Sequence, residues 1–299
     1  MSAVEPLDVA QPPPAGPAGF EVRRPGPAET PPPTPVIFAS PHSGRLYPDD
    51  MMAAAALDSR AIRRSEDAFV DQLVEAAPAA GATLITARYA RAYMDVNREA
   101  FELDPAMFAD ALPDFARSRT ARVAAGLGAI AKVVSEGQEI YARKLTFAEA
   151  QARIDLAHRP YHQTLESLIA EAKAAHGVAV LVDWHSMPSL AARVAGAGCD
   201  MVLGDRFGAA CGEALTGRVE KELEARGYRV VRNTPYAGGY TTEHYGRPAR
   251  RVHALQIELN RALYLDEEAL TPNAGFARLK ADIEALTAAL TAEDWTTRL

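Results

Sequence analysis

Val178-Ala179-Val180-Leu181-Val182-Asp183-Trp184-His185-Ser186 is the stretch whose reading decides the fold class. Its five leading apolar residues, β-branched at alternate positions, read as a strand buried on both faces, the habit of strands in sheets covered by helices. The run ends at Val182 in the polar Asp183-Trp184-His185-Ser186. Before it, residues 147 to 175 carry a helical pattern broken or kinked at Pro160. After it come a helix-like segment from about 206 to 226, a short run at 228–231, a Gly- and Tyr-rich loop at 235–248 and a second apolar strand at 253–259. Toward the N-terminus, 35–40 is a short β-type run that stops at Pro41-His42-Ser43-Gly44. Phe69, Val70, Leu73, Val74 and Ala77 then recur at helical spacing, with Ser65 as N-cap and Pro78 and Gly81 as the stop. An apolar run at 83–87 leads to Asp95-Val96-Asn97-Arg98, and a last helix is expected over 273–293. Strands alternating with amphipathic helices predict an α/β sheet with helices on both faces.

Composition narrows the function. The chain has 299 residues, 48% hydrophobic and 24% charged, enough to bury a full core without staples. A formal net charge of -7 with dispersed basic residues lacks the footprint of nucleic-acid binding, so a small-molecule partner is expected. Only Cys199 and Cys211 are present, too few for a disulfide framework or a cysteine-based zinc site. Neither a membrane-spanning run nor the order of a signal peptide is visible, so a cytoplasmic protein is expected. Residues 1–34 are rich in Pro, Ala and Gly and read as a tail or edge-wrapping arm, leaving 35–299 as a single catalytic domain.

The polar residues fall where such a sheet binds ligands. Two apolar strands end in a histidine, His42 and His185, and a third carries Glu258 near its end. Carboxyl ends of strands are the usual ligand edge of an α/β sheet, so the three can converge. Histidine and carboxylate suit Zn²⁺ or a similar divalent ion, and a catalytic site offers three protein ligands with a fourth position open. Glu66 or Asp67 can supply the carboxylate, and spacing alone does not choose between them. Both also suit the first turn of a helix, where acidic side chains meet its dipole favourably. Glu258 alternates in face with Ile257 and Leu259, and an unpaired carboxylate there is costly, so it needs a basic neighbour such as Arg261 or a proton-accepting role. Asn97 beside Arg98 resembles a clamp for an anionic substrate, unless Asp95 simply pairs with Arg98. The loop at Gly238-Gly239-Tyr240-Thr241-Thr242 has the glycines and hydroxyls of a closing segment, with Tyr240 and Thr241 as candidate substrate contacts. No G-x-S-x-G, P-loop or H-E-x-x-H motif is present.

Ser40-Pro41-His42-Ser43-Gly44, Asp95-Val96-Asn97-Arg98, Asp183-Trp184-His185-Ser186-Met187-Pro188-Ser189 and Gln256-Ile257-Glu258-Leu259-Asn260-Arg261 together resemble the N-formylglutamate amidohydrolase family over about 35–290. Gly126-Leu127-Gly128 onward to Tyr141, and the loop before Glu258, are similar to it as well. The resemblance implies a fold akin to zinc carboxypeptidases and aspartoacylase: three layers, with a central mixed, mostly parallel sheet. Those relatives hold zinc through a histidine, a glutamate three residues on and a later histidine. Arg45 occupies that middle position here, and the family's pattern moves the carboxylate to Asp67, with Glu66 as the alternative. The resemblance further implies substrate contacts at Asn97 and Arg98 and Glu258 as the catalytic base; Arg261 is expected to join the first two in holding the substrate's carboxylates. It implies zinc-dependent hydrolysis of N-formyl-L-glutamate in histidine degradation. A deacylase of another N-acyl acidic amino acid, or a non-catalytic binder of acidic ligands, are the competing readings.

Overall fold

A computed structural model describes residues 18–26, 33–134, 137–194 and 198–299. Its centre is a seven-stranded sheet: β1 (Phe20–Arg23), β2 (Val36–Ser40), β3 (Thr83–Ala87), β4 (Ala179–Met187), β5 (Met201–Gly204), β6 (Val230–Arg232) and β7 (Val252–Asn260), in the order β1-β3-β2-β4-β7-β5-β6. Pairings β2–β3, β2–β4, β4–β7 and β5–β6 are parallel, whereas β1–β3 and β5–β7 are antiparallel. The sheet is therefore mixed and mostly parallel. From the arm of residues 1–34, Phe20–Arg23 is drawn onto the edge as β1; residues 1–17 and 27–32 lie outside the described residues.

Four helices matter for the layers: α1 (Phe147–Arg153), α2 (Arg159–His176), α3 (Glu213–Glu224) and α4 (Phe276–Thr291). On one face Phe38, Val182, Trp184, Leu255 and Ile257 pack against Leu215 and Val219 of α3 and Ile283 and Leu286 of α4. On the other, Ile37, Ala39, Leu181 and Ala254 meet Tyr161, Leu165, Leu168 and Ile169 of α2, an i, i+4, i+7, i+8 stripe. These are the three layers the sequence predicts. A separate apolar cluster, with Met51, Tyr93, Leu103, Ile130 and Leu145 among its members, fills the interior of a region built largely from loops and short helices.

Several boundaries move, each for a physical reason. Strand β4 does not stop at Val182; β7 pairs with it residue by residue from Ala179 to Met187, so Asp183, His185 and Ser186 stay in the ladder. The helix expected from Ser65 forms only as Val70–Leu73 and a 3₁₀ turn at Ala77–Ala80. Ser65 does not cap it; its hydroxyl donates to the Ile62 carbonyl, while the Asp67 N–H donates to the His42 carbonyl and Phe69 takes a left-handed φ of 63°. The chain over Ser65–Phe69 is thus bent toward the β2 end before any helix starts. Pro160 causes no break, since the chain stays helical through it from Phe147 to His176. The irregularity is instead a π-helical segment, Ile154–His158, joining α1 to α2. The helix expected from about 206 begins only at Glu213, since Arg206, Phe207 and Gly208 all take positive φ. The last helix is trimmed to Phe276–Thr291, and the loop at 235–248 contains a short helix, Tyr240–Tyr245.

Candidate active site

Register brings the polar residues together. Strands β2, β4 and β7 are adjacent and parallel, so their C-terminal ends share one edge. His185 faces Glu258 across the β4–β7 ladder, and Asp183 faces Gln256 one pleat earlier. Trp184 and Ile257 point to the opposite face and into the core, the alternation expected of Glu258 and its neighbours. His42 enters from two residues beyond the end of β2, and the hydrogen bond from the Asp67 amide to its carbonyl ties Asp67 alongside.

The result is a buried cluster. His42 Nδ1, His185 Nδ1 and Asp67 Oδ2 form a triangle with sides of 3.0, 3.1 and 3.3 Å. Ligands of a tetrahedral Zn²⁺ at ~2.0–2.1 Å stand ~3.3 Å apart, so this triangle is the size of three corners of such a site. No other group of three or more histidine, cysteine or carboxylate side chains among the described residues has this convergence. The surroundings also favour a cation there. Burial works to lower the His185 pKa, but the Asp183 carboxylate 3.0 Å from its Nε2, with Asp67 and Glu258, lifts it well above the usual histidine range. Burial likewise works to raise Asp67, yet hydrogen bonds to His185 and His42 and the Arg91 charge hold it well below the ordinary carboxylate range. A positive charge is favoured amid these carboxylates, and the three converging side chains could hold a metal ion that supplies it.

Each cluster residue is held from behind. His42 Nε2 donates to Asp95 Oδ1 at 2.7 Å, which leaves its Nδ1 lone pair for the triangle. Asp95 is held in turn by Arg91 at 2.8 Å, and Asp67 Oδ1 accepts from Arg261 at 3.1 Å. Arg261 also donates to the Ser186 hydroxyl and the Arg64 carbonyl, so it anchors Asp67 as well as lining the cavity. Glu66 is turned away, accepting from Tyr47 and Arg63, so of the two acidic candidates only Asp67 joins the histidines. Arg98 makes no ion pair with Asp95; its Nε and Nη1 donate to the carbonyls of Leu127 and Asn97.

Glu258 is 7% exposed, and its Oε1 accepts from Gln256 Nε2 at 2.8 Å. Burial, opposed by the His185 charge and aided by Asp67, pushes its pKa up to about 7. It opens onto a cavity of about 620 Å³ lined also by His42, Asp67, His185, Asn97 and Arg98. Gln256 and Gly239 line it too, and the Gly239 N–H donates to Gln256 Oε1. A Cβ on Gly239 would come within 2.4 Å of the Asn97 amide, so the loop approaches Asn97 as only glycine can.

Tyr240 and Thr241 are not on the cavity wall. The Thr241 amide donates to Asn97 Oδ1 at 2.8 Å, and the Tyr240 ring stacks on His244, so the loop acts on the clamp from behind. Arg64, Arg91 and Arg122 line the cavity without having been singled out in the sequence. Gln256 was within reach of a sequence reading, because it lies two residues before Glu258 on the same face; Arg64, Arg91 and Arg122 are scattered over irregular segments and carry no periodic signal.

The N-formylglutamate amidohydrolase family matches residues 34–265. An N-formylglutamate deformylase of Pseudomonas aeruginosa is 30% identical over 239 residues, 79% of this chain and 84% of that protein. One from Pseudomonas putida is 30% identical over 237 residues, 78% of this chain and 82% of that protein. The crystal structure of an N-formylglutamate amidohydrolase from Ralstonia eutropha JMP134 superposes with a TM-score of 0.82 at 37% identity, covering 92% of this chain and 97% of that one. The motifs at the ends of β2, β4 and β7 thus lie in a chain matched over most of its length, and the protein belongs to the N-formylglutamate amidohydrolase family.

Proposed function

We propose that this protein hydrolyses N-formyl-L-glutamate to formate and L-glutamate, with a divalent metal, zinc by the character of the donors, held by His42, Asp67 and His185. The observation that carries the reading is the convergence of these three side chains beside Glu258 in a cavity with arginines on its wall. When bound, the metal supplies Lewis acidity toward the formyl carbonyl and acidifies water.

The chain's own residues supply the rest. Asn97 and Arg98 hold the α-carboxylate of the substrate and fix the amide over the cluster. Glu258, with a pKa near 7, accepts a proton from the attacking water as oxygen bonds to the formyl carbon. It returns that proton to the nitrogen as the C–N bond breaks, and the proton left on the new carboxyl passes to the departing amine, so formate and the ammonium form of L-glutamate leave and Glu258 is restored. Arg91, held by Asp95 on the cavity wall, meets the negative charge that develops on the formyl oxygen. Asp95 and Arg261 act behind the ligands, keeping His42 and Asp67 oriented.

Formate release from N-formyl-L-glutamate by the purified protein, before and after chelation and with Zn²⁺ restored, tests the proposal. Activity lost on chelation and recovered with metal is the expected result. Protein that carries no stoichiometric metal and gains nothing from Zn²⁺ breaks the mechanism; turnover of N-acetyl- or N-succinyl-L-glutamate with none of N-formyl-L-glutamate moves the specificity to another acyl group.

A further inference from the structure

Two arginines of the cavity are joined by one turn. Arg98 Nε donates to the Leu127 carbonyl at 3.0 Å, and the Leu127 N–H donates to the Arg122 carbonyl at 2.8 Å. That turn closes through Gly126, whose φ of 75° belongs to the left-handed region, and Thr120 caps the helical turn Ala121–Ala124 that carries Arg122. Arg98 and Arg122 therefore line one wall of the same cavity. Burial, the opposing Asp95 charge and the nearby Arg91 and Arg122 charges leave the Arg98 guanidinium with a lowered pKa, as expected where cations crowd.

Their commitments differ. Arg98 uses two of its nitrogens on main-chain carbonyls and adjoins Asn97, whose Nδ2 is 3.1 Å from His185 Nε2. Among the described residues Arg122 has no contact with the cluster and one acidic neighbour, Glu102 at 3.8 Å, beyond hydrogen-bond length; its side chain is 34% exposed. Buried Glu102 accepts instead from the Thr120 hydroxyl at 2.5 Å. Traced through these contacts from the cluster, the lining runs from His185 to Asn97, Arg98 and then Arg122. A bound N-formylglutamate has the same order: the reacting amide, the α-carboxylate next to it, and a second carboxylate farther along the side chain. A second carboxylate drawn partly out of water onto this wall is favoured by a cation of its own.

We propose that Arg122 is a specificity-determining residue that receives the side-chain carboxylate of the substrate, so that the wall carrying Arg98 and Arg122 selects dianionic N-formyl amino acids over singly charged ones. The inference rests on the deformylase reading and deepens it. Glu102 then holds the Arg122 guanidinium near its working position without saturating it.

The test compares kcat/KM for N-formyl-L-glutamate with that for N-formyl-L-glutamine, which has the same shape and lacks the second charge. In the wild type the acidic substrate is favoured on the order of 10- to 100-fold, the scale of one charge-assisted hydrogen-bonded contact. Arg122→Leu brings the ratio toward one, with the loss on N-formyl-L-glutamate falling mainly on KM. Arg122→Lys, which keeps the charge but not the fork, restores part of the ratio. Thermal melting and metal content, measured on both variants, separate this from a folding defect. An unchanged ratio in Arg122→Leu overturns the inference, as does equal use of both substrates by the wild type, and either leaves the deformylase reading standing. Formate release from neither substrate by the wild type overturns both.

Discussion

The floor and the wall of the cavity are built by different means. The floor, His42, His185, Gln256 and Glu258, stands on or just beyond three adjacent strands whose register is fixed by continuous pairing. The wall, with Asn97, Arg98, Arg122 and Gly239, comes from segments with little regular structure, and Arg98 and Asn97 are held there by hydrogen bonds to two main-chain carbonyls and an amide. On the proposed mechanism, chemistry that tolerates little displacement sits on the rigid part, and recognition sits where insertion and substitution are cheap. Breaking the floor should therefore abolish turnover, whereas breaking the wall should weaken or redirect binding.

The largest expected effect is at Glu258. Glu258→Gln keeps the shape and loses the proton acceptor, so kcat should fall on the order of 10²- to 10⁴-fold. Metal content and affinity for L-glutamate, read by metal analysis and calorimetry, should stay near wild type. A variant that loses its metal instead would make Glu258 part of the metal site and blur the division of roles. The same carboxyl sets the pH dependence: it must be ionised to accept a proton, so activity rises with pH through its pKa. Burial puts that pKa at about 7, and a bound cation draws it downward. The acid limb of the kcat/KM profile is expected at or below about pH 7, and it should disappear in the residual activity of Glu258→Gln.

A step behind the floor, Asp95→Asn removes the carboxylate that fixes His42 through Nε2. Metal affinity should drop about 10- to 100-fold, measured by competition with a chromophoric chelator. An unchanged affinity would mean that the strand-end geometry alone orients His42.

The same contrast explains what could be read in advance. Buried strands and their polar ends are periodic features, so the layers, His42, His185 and Glu258 are legible in the sequence alone. Extension of β4 through His185 was not, because Asp183 and Ser186 look like a loop until β7 is known to pair beside them. The choice between Glu66 and Asp67 depends on the bend from Ser65 to Phe69, fixed by a hydrogen bond to a carbonyl 25 residues earlier in the chain (67 − 42). Local propensity contains no record of such a partner. Arg122 is a lone cation on a surface-like helical turn, and only the fold shows that Leu127 links it to Arg98.

The wall has its own supports. His158 and His162 leave the π segment and the first turn of α2 on one side, and their Nε2 atoms donate to the carbonyls of Arg98 and Val96 at 2.8 and 2.7 Å. Those carbonyls flank Asn97, so the two rings hold the clamp's main chain before and after it. His162 accepts from the Tyr245 hydroxyl through Nδ1 at 2.9 Å. Burial, and then the neighbouring His158, push its pKa down to about 3, so it stays neutral at every working pH and adds nothing to the acid limb. His162→Leu leaves the Val96 carbonyl without its donor and lets Asn97 drift. KM for N-formyl-L-glutamate should rise roughly 5- to 10-fold while kcat and metal content change little, and His162→Gln, which can still donate to Val96, should recover most of the loss. A fall in kcat with KM unchanged would place this pair of histidines in the service of the floor, and the division between a strand-borne reaction centre and a loop-borne recognition wall would fail at the residue where the two meet.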